Sequence, residues 1–286
     1  MMKKMLALLL ALVTVAALSA CSKEEEKGTS NLEAFKQQEI IYTSYTDATT
    51  GGVFFFDTLD TTSVVITGYQ GPTAMHDVKV PATVQTGEDA STTTKTVVSI
   101  GEEAFKAISS IRTVEIPDSV TTIEKYAFAD CVQMVSVKIP ATVTSIGDGA
   151  FRNCGLTSFA FPENGALTEI KLETFSKCFN LKSITIPSYI KTIGQGAFFG
   201  CTSLETVVIS EGVETVGKQA FQGTTSLAYL TLPSTFKNTD PTGENGDFAF
   251  SGSDVLYREN IICPAGSAAE AYADKMVLNE APEAAE

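Results

Sequence analysis

The sequence predicts a solenoid of stacked repeats: a stacked parallel β-sheet with short second strands and helical or 3₁₀ turns, capped at both ends. Two observations lead to this fold class. A phenylalanine recurs at intervals of 23 or 24 residues, and the same apolar pattern accompanies it each time, whereas both flanks depart from the pattern. The phenylalanines are Phe105, Phe128, Phe151, Phe175, Phe198 and Phe221. A fixed period of this length indicates a repeat architecture.

One complete repeat, Leu181 to Cys201, shows how each unit is expected to fold. It reads L-x-x-I-x-I-P-x-x-I-x-x-I-G-x-x-A-F-x-x-C. The first six residues alternate as a strand with one buried face, and the later I-G suits a second short strand that ends in a turn. The A-F-x-x-C segment suits one helical or 3₁₀ turn. No unit can close a core alone, so we expect successive units to stack about 4.8 Å apart.

This unit resembles the 23-residue leucine-rich repeat of the BspA-like bacterial surface lipoproteins, and the resemblance extends over about Val64 to Met276. It implies a leucine-rich-repeat solenoid and a role in adhesion or host-factor interaction. A few positions depart from the pattern, and we expect the stacking to survive all of them. They are Lys171 and Thr174 in place of Gly and Ala, Ser210 in place of Pro, and Asn164-Gly165, where an extra residue should bulge one rung.

Residues 1–20 are predicted to be a lipoprotein signal peptide. Lys3 and Lys4 precede an apolar run that is too short to span a bilayer comfortably. The run ends in L-S-A-C, which resembles the bacterial lipobox and makes Cys21 the predicted lipidation site; a plain secretory signal is the alternative. The polar residues 21–39 should be a flexible tether. We therefore expect an extracytoplasmic protein, anchored in a membrane by lipid and exposed at the cell surface.

The flanks are predicted to cap the solenoid. Residues 40–97 form an N-terminal cap with degenerate first repeats, in which strands at 53–56, 64–66 and 78–80 are interrupted by a threonine-rich loop at 87–96. Residues 98–237 are the regular repeats.

Residues 238–278 hold a last repeat with an inserted loop and then the C-terminal cap. Ile261 to Pro264 reads as the last strand. Ser267 and Glu270 form a capping-box pattern that opens a short helix reaching Met276. Residues 279–286 are predicted to be a disordered acidic tail.

Charge and composition argue against several functions. The chain has 20 basic and 34 acidic side chains, and removing the leader lysines leaves 18 against 34, a net charge of −16. Such a charge repels nucleic acid, so no nucleic-acid partner is expected. The single histidine, His76, lies in a polar connection and reads as a solvent-facing loop residue. With no nucleophile motif or phosphate loop, we predict no enzyme activity, no cofactor and no metal site.

Four cysteines occupy one repeat position in consecutive rungs: Cys131, Cys154, Cys178 and Cys201. A straight ladder at strand spacing cannot place four thiolates around one zinc ion. Neighbouring thiols point the same way, which gives a poor disulfide geometry, so reduced buried thiols are favoured over disulfides.

The outward strand positions form two ladders of small and polar residues. The first is Thr113, Ser136, Ser158, Ser183, Thr206 and Tyr229; the second is Glu115, Lys138, Ala160, Thr185, Val208 and Thr231. The ladders read either as a plain soluble strand surface or as an extended, weak contact face for a polymeric ligand.

The break in the repeat gives the candidate contact site. Phe221 and the next A-F copy, at Phe250, are 29 residues apart, so six extra residues lie within 238–247. The predicted partner-contact residues are Tyr229, Asp240, Glu244, Asn245 and Asp247. The oxygens of Asp240, Glu244, Asn245 and Asp247 suit calcium, yet the spacing does not match an EF-hand loop and an ordinary turn explains the segment equally well.

The predicted function is a membrane-anchored cell-surface leucine-rich-repeat binding protein. Its expected partner is an unknown extracellular protein or glycan, and adhesion is implied by the resemblance alone. A non-enzymatic structural or scaffold component of the cell envelope is the alternative.

Overall fold

A computed structural model of the protein describes residues 43–87, 92–238, 248–253 and 255–276. The predicted signal peptide, the lipidation site Cys21, the tether and the acidic tail lie outside these residues. Within them the fold is built from short strands, with one short α-helix near the C-terminus.

The strands are two to eight residues long. They are β1 Thr43–Thr46, β2 Val53–Thr58, β3 Ser63–Gln70, β4 His76–Lys79, β5 Thr83–Thr86, β6 Thr93–Ile100, β7 Ile111–Glu115, β8 Thr122–Ile123, β9 Ser136–Lys138, β10 Ser145–Ile146, β11 Glu169–Ile170, β12 Ser183–Ile186, β13 Thr192–Ile193, β14 Thr206–Ile209, β15 Thr215–Val216, β16 Tyr229–Thr231 and β17 Ile261–Ile262.

Strands from successive repeats pair in parallel, which confirms the predicted solenoid. The first strand of each repeat builds two sheets, β4-β7-β9 and β12-β14-β16-β17. The second, two-residue strands continue β6 through β8 to β10 and form a separate sheet, β11-β13-β15. The register repeats from rung to rung, as in Ile184 beside Val207 and Val207 beside Leu230. These residues alternate buried and outward, as the sequence pattern requires.

The repeat phenylalanines form one aromatic column through the core. Each ring stacks on the next with centroids 4.8 to 5.5 Å apart and planes within 16°. Tyr69 stacks on Phe105 at one end, and Tyr272 meets Phe250 edge-on at the other. The column therefore runs from the N-terminal cap to the C-terminal cap, and Phe250 serves as the seventh repeat phenylalanine.

The segment around each phenylalanine differs from the predicted helical or 3₁₀ turn. We call it the turn segment; in the first rung it covers residues 101–108. The N–H of Lys106 donates within the rung, to Glu103 O at 3.1 Å, whereas the N–H of Phe105 donates to Ala127 O of the next rung at 2.8 Å. In a helical turn successive N–H groups all point the same way along the axis, whereas here they alternate between the same rung and the next one. The chain therefore forms successive β-turns.

Two positions in each turn segment have a left-handed backbone, two residues before and two residues after the phenylalanine. This conformation alternates the direction of the N–H groups. The residues are Glu103, Ala107, Tyr126, Asp130, Gly149, Asn153, Glu173, Lys177, Gly196, Gly200, Gln219, Gly223, Phe248 and Gly252. Residues other than glycine are uncommon in this region, so these columns are a regular source of backbone strain.

The extra residue near Asn164-Gly165 has a larger effect on the sheets than on the core. Residues 154–168, all of which the structure describes, contain no strand, so the first-strand and second-strand sheets are both divided there. The aromatic column continues across the gap, since Phe151 stacks on Phe175 at 5.5 Å. Phe159 is buried against both rings and fills the space beside them.

The N-terminal cap is an antiparallel meander of β1, β2 and β3. Parallel pairing begins where β3 pairs with β6. The prediction of a threonine-rich loop at 87–96 is wrong for the second half of that segment. Thr93 to Thr96 belong to β6 and pair antiparallel with β5. Threonine is β-branched and favours strands, and the hydroxyls of Thr86 and Thr93 lie 2.9 Å apart across the pair.

The C-terminal cap agrees with its predicted capping box. Ser267 precedes the helix α1, Ala268–Ala273, and its hydroxyl accepts from Glu270 N at 3.1 Å. Glu270 in turn accepts from Gly266 N at 2.6 Å. The helix ends at Ala273, before the predicted Met276. It buries Tyr272, whose ring lies edge-on 4.9 Å from Phe236.

Candidate binding surfaces

The outward faces of the first strands form a regular surface along the repeats. The pairing places Thr113 beside Ser136 and aligns Ser183, Thr206 and Tyr229, as predicted for the first ladder. The second ladder also aligns, from Thr185 through Val208 to Thr231. Ser158 and Ala160 lie in the divided rung and belong to no strand. The face therefore consists of two patches.

The N-terminal patch is charged and largely paired within itself. It comprises Asp77, Lys79, Arg112, Thr113, Glu115 and Lys138. Arg112 binds both oxygens of Asp77, at 3.0 and 2.6 Å. This contact, with a further hydrogen bond from Thr113, lowers the pKa of the Asp77 carboxyl. Lys138 lies 3.0 Å from Glu115 and lowers the pKa of that carboxyl as well. Charges satisfied in this way offer little to a partner.

The C-terminal patch combines small hydroxyl side chains with two exposed apolar ones. It comprises Ser183, Thr185, Thr206, Val208, Tyr229, Thr231 and Ile262. Tyr229 is 58% exposed and Ile262 is 65% exposed. β16 and β17 are neighbouring strands, with Thr231 directly beside Ile262. The two large side chains therefore project from adjacent strands at the same end of the solenoid.

Sequence reasoning identified Tyr229 but missed Ile262. Strand alternation could have identified it, because Ile261 is buried and the next residue, Ile262, must therefore point outward. Asp240, Glu244, Asn245 and Asp247 lie outside the described residues. The residue that precedes the insertion, Asn238, bonds to both backbone groups of Val216 on β15, whereas Tyr229 belongs to the first-strand sheet.

The cysteine ladder is part of the core. Cys131, Cys154, Cys178 and Cys201 are buried as free thiols, and each Sγ donates to the carbonyl oxygen of the phenylalanine in the rung before, at 3.1 to 3.2 Å. Burial raises the pKa of all four thiols, and for Cys131 and Cys178 to about 12. They are therefore unsuited to act as nucleophiles at neutral pH.

His76 differs from its predicted loop setting. It begins β4, and its Nε2 lies 2.9 Å from the hydroxyl of Tyr69. Its Nδ1 lies 2.9 Å from Ala74 O. Both contacts lie within the N-terminal cap, and β4 itself pairs with β7 of the next unit.

The described parts of residues 43–276 contain neither a metal-binding cluster nor a membrane-spanning helix. No group of three or more histidine, cysteine or carboxylate side chains gathers closely enough to hold a metal ion. No helix in the same residues is long and apolar enough to cross a membrane.

The chain resembles several bacterial leucine-rich-repeat proteins of known structure. The Treponema pallidum leucine-rich-repeat protein TpLRR is 24% identical, with a TM-score of 0.44 over 64% of this chain and 90% of that one. The pneumococcal vaccine antigen PcpA is 16% identical, with a TM-score of 0.45 over 79% and 51% of the two chains. No curated protein sequence matches.

The repeats also match a family model directly. The model describes the BspA-type leucine-rich-repeat region, and six copies of it match within residues 89–137 and 121–255. These residues contain the stacked phenylalanines, the paired strands and the cysteine ladder. The chain belongs to the family of BspA-type leucine-rich-repeat proteins.

Proposed function

We propose that the protein is a non-enzymatic binding protein, anchored outside the cytoplasm by lipid at Cys21, that attaches to an extracellular protein or glycan through the C-terminal patch. The observation that carries this proposal is the pair of exposed apolar side chains, Tyr229 and Ile262, on adjacent strands. Tyrosine is enriched among the residues that dominate binding energy.

The rest of the patch suits an extended ligand. Thr185, Thr206 and Thr231 offer hydroxyl groups that both donate and accept hydrogen bonds. None of these contacts is strong alone, so useful attachment needs many tethered copies acting together. A lipid anchor on each copy supplies that arrangement, because two or three acyl chains hold a protein stably on a membrane.

The proposal is tested by measuring how well cells that display the full chain attach to immobilised matrix proteins and glycans. The variant Tyr229→Ala/Ile262→Thr removes both apolar groups while keeping the threonine chemistry of the ladder. The matched control is Met75→Ala, which removes an apolar side chain of similar exposure, 50%, away from the patch. We expect the double variant to lose attachment and the control to retain it. Equal attachment by both would exclude the patch.

The inserted loop and the anchor are tested separately. Deleting Thr239 to Glu244 restores the 23-residue spacing and should leave folding intact; attachment that survives this deletion assigns binding to the strand face alone. Cys21→Ala should move the protein out of the detergent phase. A chain that captures only envelope components in a pull-down would support the scaffold alternative.

A further inference from the structure

A second surface of the repeats, on the turn segments, contains a cleft that the outward strand positions do not reach. Its volume is about 400 Å³, within the range of small-ligand sites. It spans the first four rungs and is predominantly polar. Its lining residues are Lys106, Tyr126, Ala129, Asp130, Arg152, Asn153 and Lys177.

Four of the lining residues have a left-handed backbone: Tyr126, Asp130, Asn153 and Lys177. In the later rungs the column two residues after the phenylalanine holds Gly200, Gly223 and Gly252 instead. Glycine adopts this conformation without strain, so glycine is the residue that the fold itself favours there. The first rungs accept strain in order to carry side chains at these positions. Other left-handed positions away from the cleft also carry residues other than glycine, such as Ala107 and Gln219, so the distinguishing feature is that three consecutive rungs carry polar side chains in this column.

The side chains of the cleft are held in place by one another. Asn153 donates to Asp130 at 2.8 Å, and Arg152 lies 3.0 Å from Glu173. The Tyr126 ring lies against Gly149, where an added Cβ would approach within 2.2 Å of the ring. Lys106 lies over the same ring, 5.4 Å from its centroid. The arrangement is fixed before any ligand arrives, which favours binding.

Lys177 is the exception, and it indicates the charge of the ligand. Its ammonium group has no carboxylate within 4.0 Å among the described residues, although the side chain is half-buried. Lys106 and Arg152 are paired with carboxylates beside the cleft, Glu103 and Glu173, so among the described residues Lys177 is the lining cation that lacks such a partner. Lys177 is therefore the group of the cleft that is available to an anionic ligand.

We propose that the cleft binds a saccharide bearing a carboxylate. Lys177 would hold the carboxylate by a charge-assisted hydrogen bond. Asp130 and Asn153 present acceptor and donor atoms side by side, which suits sugar hydroxyl groups. The carboxylate of Asp130 disfavours a phosphate dianion, yet it accepts readily from a hydroxyl. This site is independent of the strand-face contact proposed above.

Glycine substitutions at the left-handed positions should remove the site without destabilising the fold. Asn153→Gly/Lys177→Gly deletes two ligand-facing groups and installs the residue that the later rungs carry in that column. Lys177→Gln removes the charge and keeps the size. The matched control is Gln219→Gly, a left-handed position at φ 59° in the sixth rung, away from the cleft. All three should melt no lower than the unmodified chain.

The test is calorimetric titration of the full chain with tetragalacturonic acid, with neutral maltotetraose and polyglutamate as comparison probes. We expect saturable binding of the acidic sugar that salt weakens, with a loss of about tenfold or more in both site variants and none in the control. The variant Tyr229→Ala should bind the sugar unchanged. Absence of saturable binding, equal affinity in the site variants, or equally tight binding of polyglutamate would each overturn the assignment.

Discussion

Cys178 Sγ donates a hydrogen bond to the carbonyl oxygen of Phe151, one rung earlier, at 3.2 Å. The same contact recurs from Cys131, Cys154 and Cys201. Each thiol therefore satisfies a buried carbonyl that points between rungs, and the ladder contributes to the core as a set of neutral donors.

The first prediction concerns stability at alkaline pH. Burial raises the pKa of Cys178 from 9.0 to about 12, so the unfolded chain releases this proton at lower pH than the folded chain does. The stability linked to the thiol is complete below pH 9 and is lost as pH rises towards 12. Over that window Cys178→Ala should flatten the decline by about 1.4 kcal/mol per pH unit. Urea unfolding of both chains at several pH values measures the difference; parallel declines would contradict the assignment.

The second prediction concerns the aromatic column. Phe151 is fully buried between Phe128 and Phe175, so Phe151→Ala should destabilise the protein by about 3–5 kcal/mol. The sequence alone suggests a smaller effect for Phe105, nearer the cap. The structure buries Phe105 equally, between Tyr69 and Phe128, and predicts a similar loss.

The matched control for the column is Phe179→Ala, since Phe179 is 47% exposed. It should change the free energy of unfolding by no more than about 0.5 kcal/mol. Chemical denaturation separates the three variants. A Phe151→Ala chain as stable as Phe179→Ala would show that the column is not the core.

The third prediction concerns the left-handed columns. Gly200 has φ 69°, and a Cβ added there would meet only Lys177 Cγ, at 3.8 Å. Gly200→Ala therefore introduces backbone strain without a clash and should cost about 1–2 kcal/mol. Gly68→Ala, in strand β3, meets ordinary contacts from 3.5 Å and should be neutral or slightly stabilising. Thermal melts compare the pair, and equal melting temperatures would argue against strain.

The fourth prediction concerns the C-terminal cap. Ser267→Ala removes the hydroxyl that accepts from Glu270 N and should destabilise the chain by about 1 kcal/mol. Ser267→Asp preserves an acceptor at the same position and should retain most of the stability. If both substitutions lower the melting temperature equally, the hydroxyl contact is not what stabilises the helix.

The repeat period was sufficient to predict the parallel rungs, the buried phenylalanines and the reduced cysteine ladder. The same apolar spacing has to bury the same face in every unit, so these features depend on residue type alone. The turn segments could not be predicted in this way. Their shape depends on hydrogen bonds between rungs, which no single repeat contains. Gly200 and Gly223 indicate a left-handed backbone, but the first rungs have other residues at the equivalent positions.

The candidate sites were less accessible to sequence reasoning. Tyr229 was identified as the one aromatic residue in a polar ladder, whereas Ile262 belongs to an atypical last strand and was missed. The cleft at Lys177 combines side chains from four rungs, each unremarkable in its own repeat. Only their alignment at rung spacing shows that they share one surface.

The divided rung at residues 154–168 gives the two halves of the solenoid different routes to local opening. The strand ladders end on either side of it, so at this level neighbouring units are coupled by the rings of Phe151, Phe159 and Phe175 and by hydrogen bonds between turn segments, such as Phe151 N–H to Thr174 O at 2.9 Å. In a linear array, the weakest interface between neighbours determines where cooperativity breaks. Amide protons of β7 and β14 should therefore exchange with separate opening free energies, and strain applied at one end of the molecule would be released first at this rung.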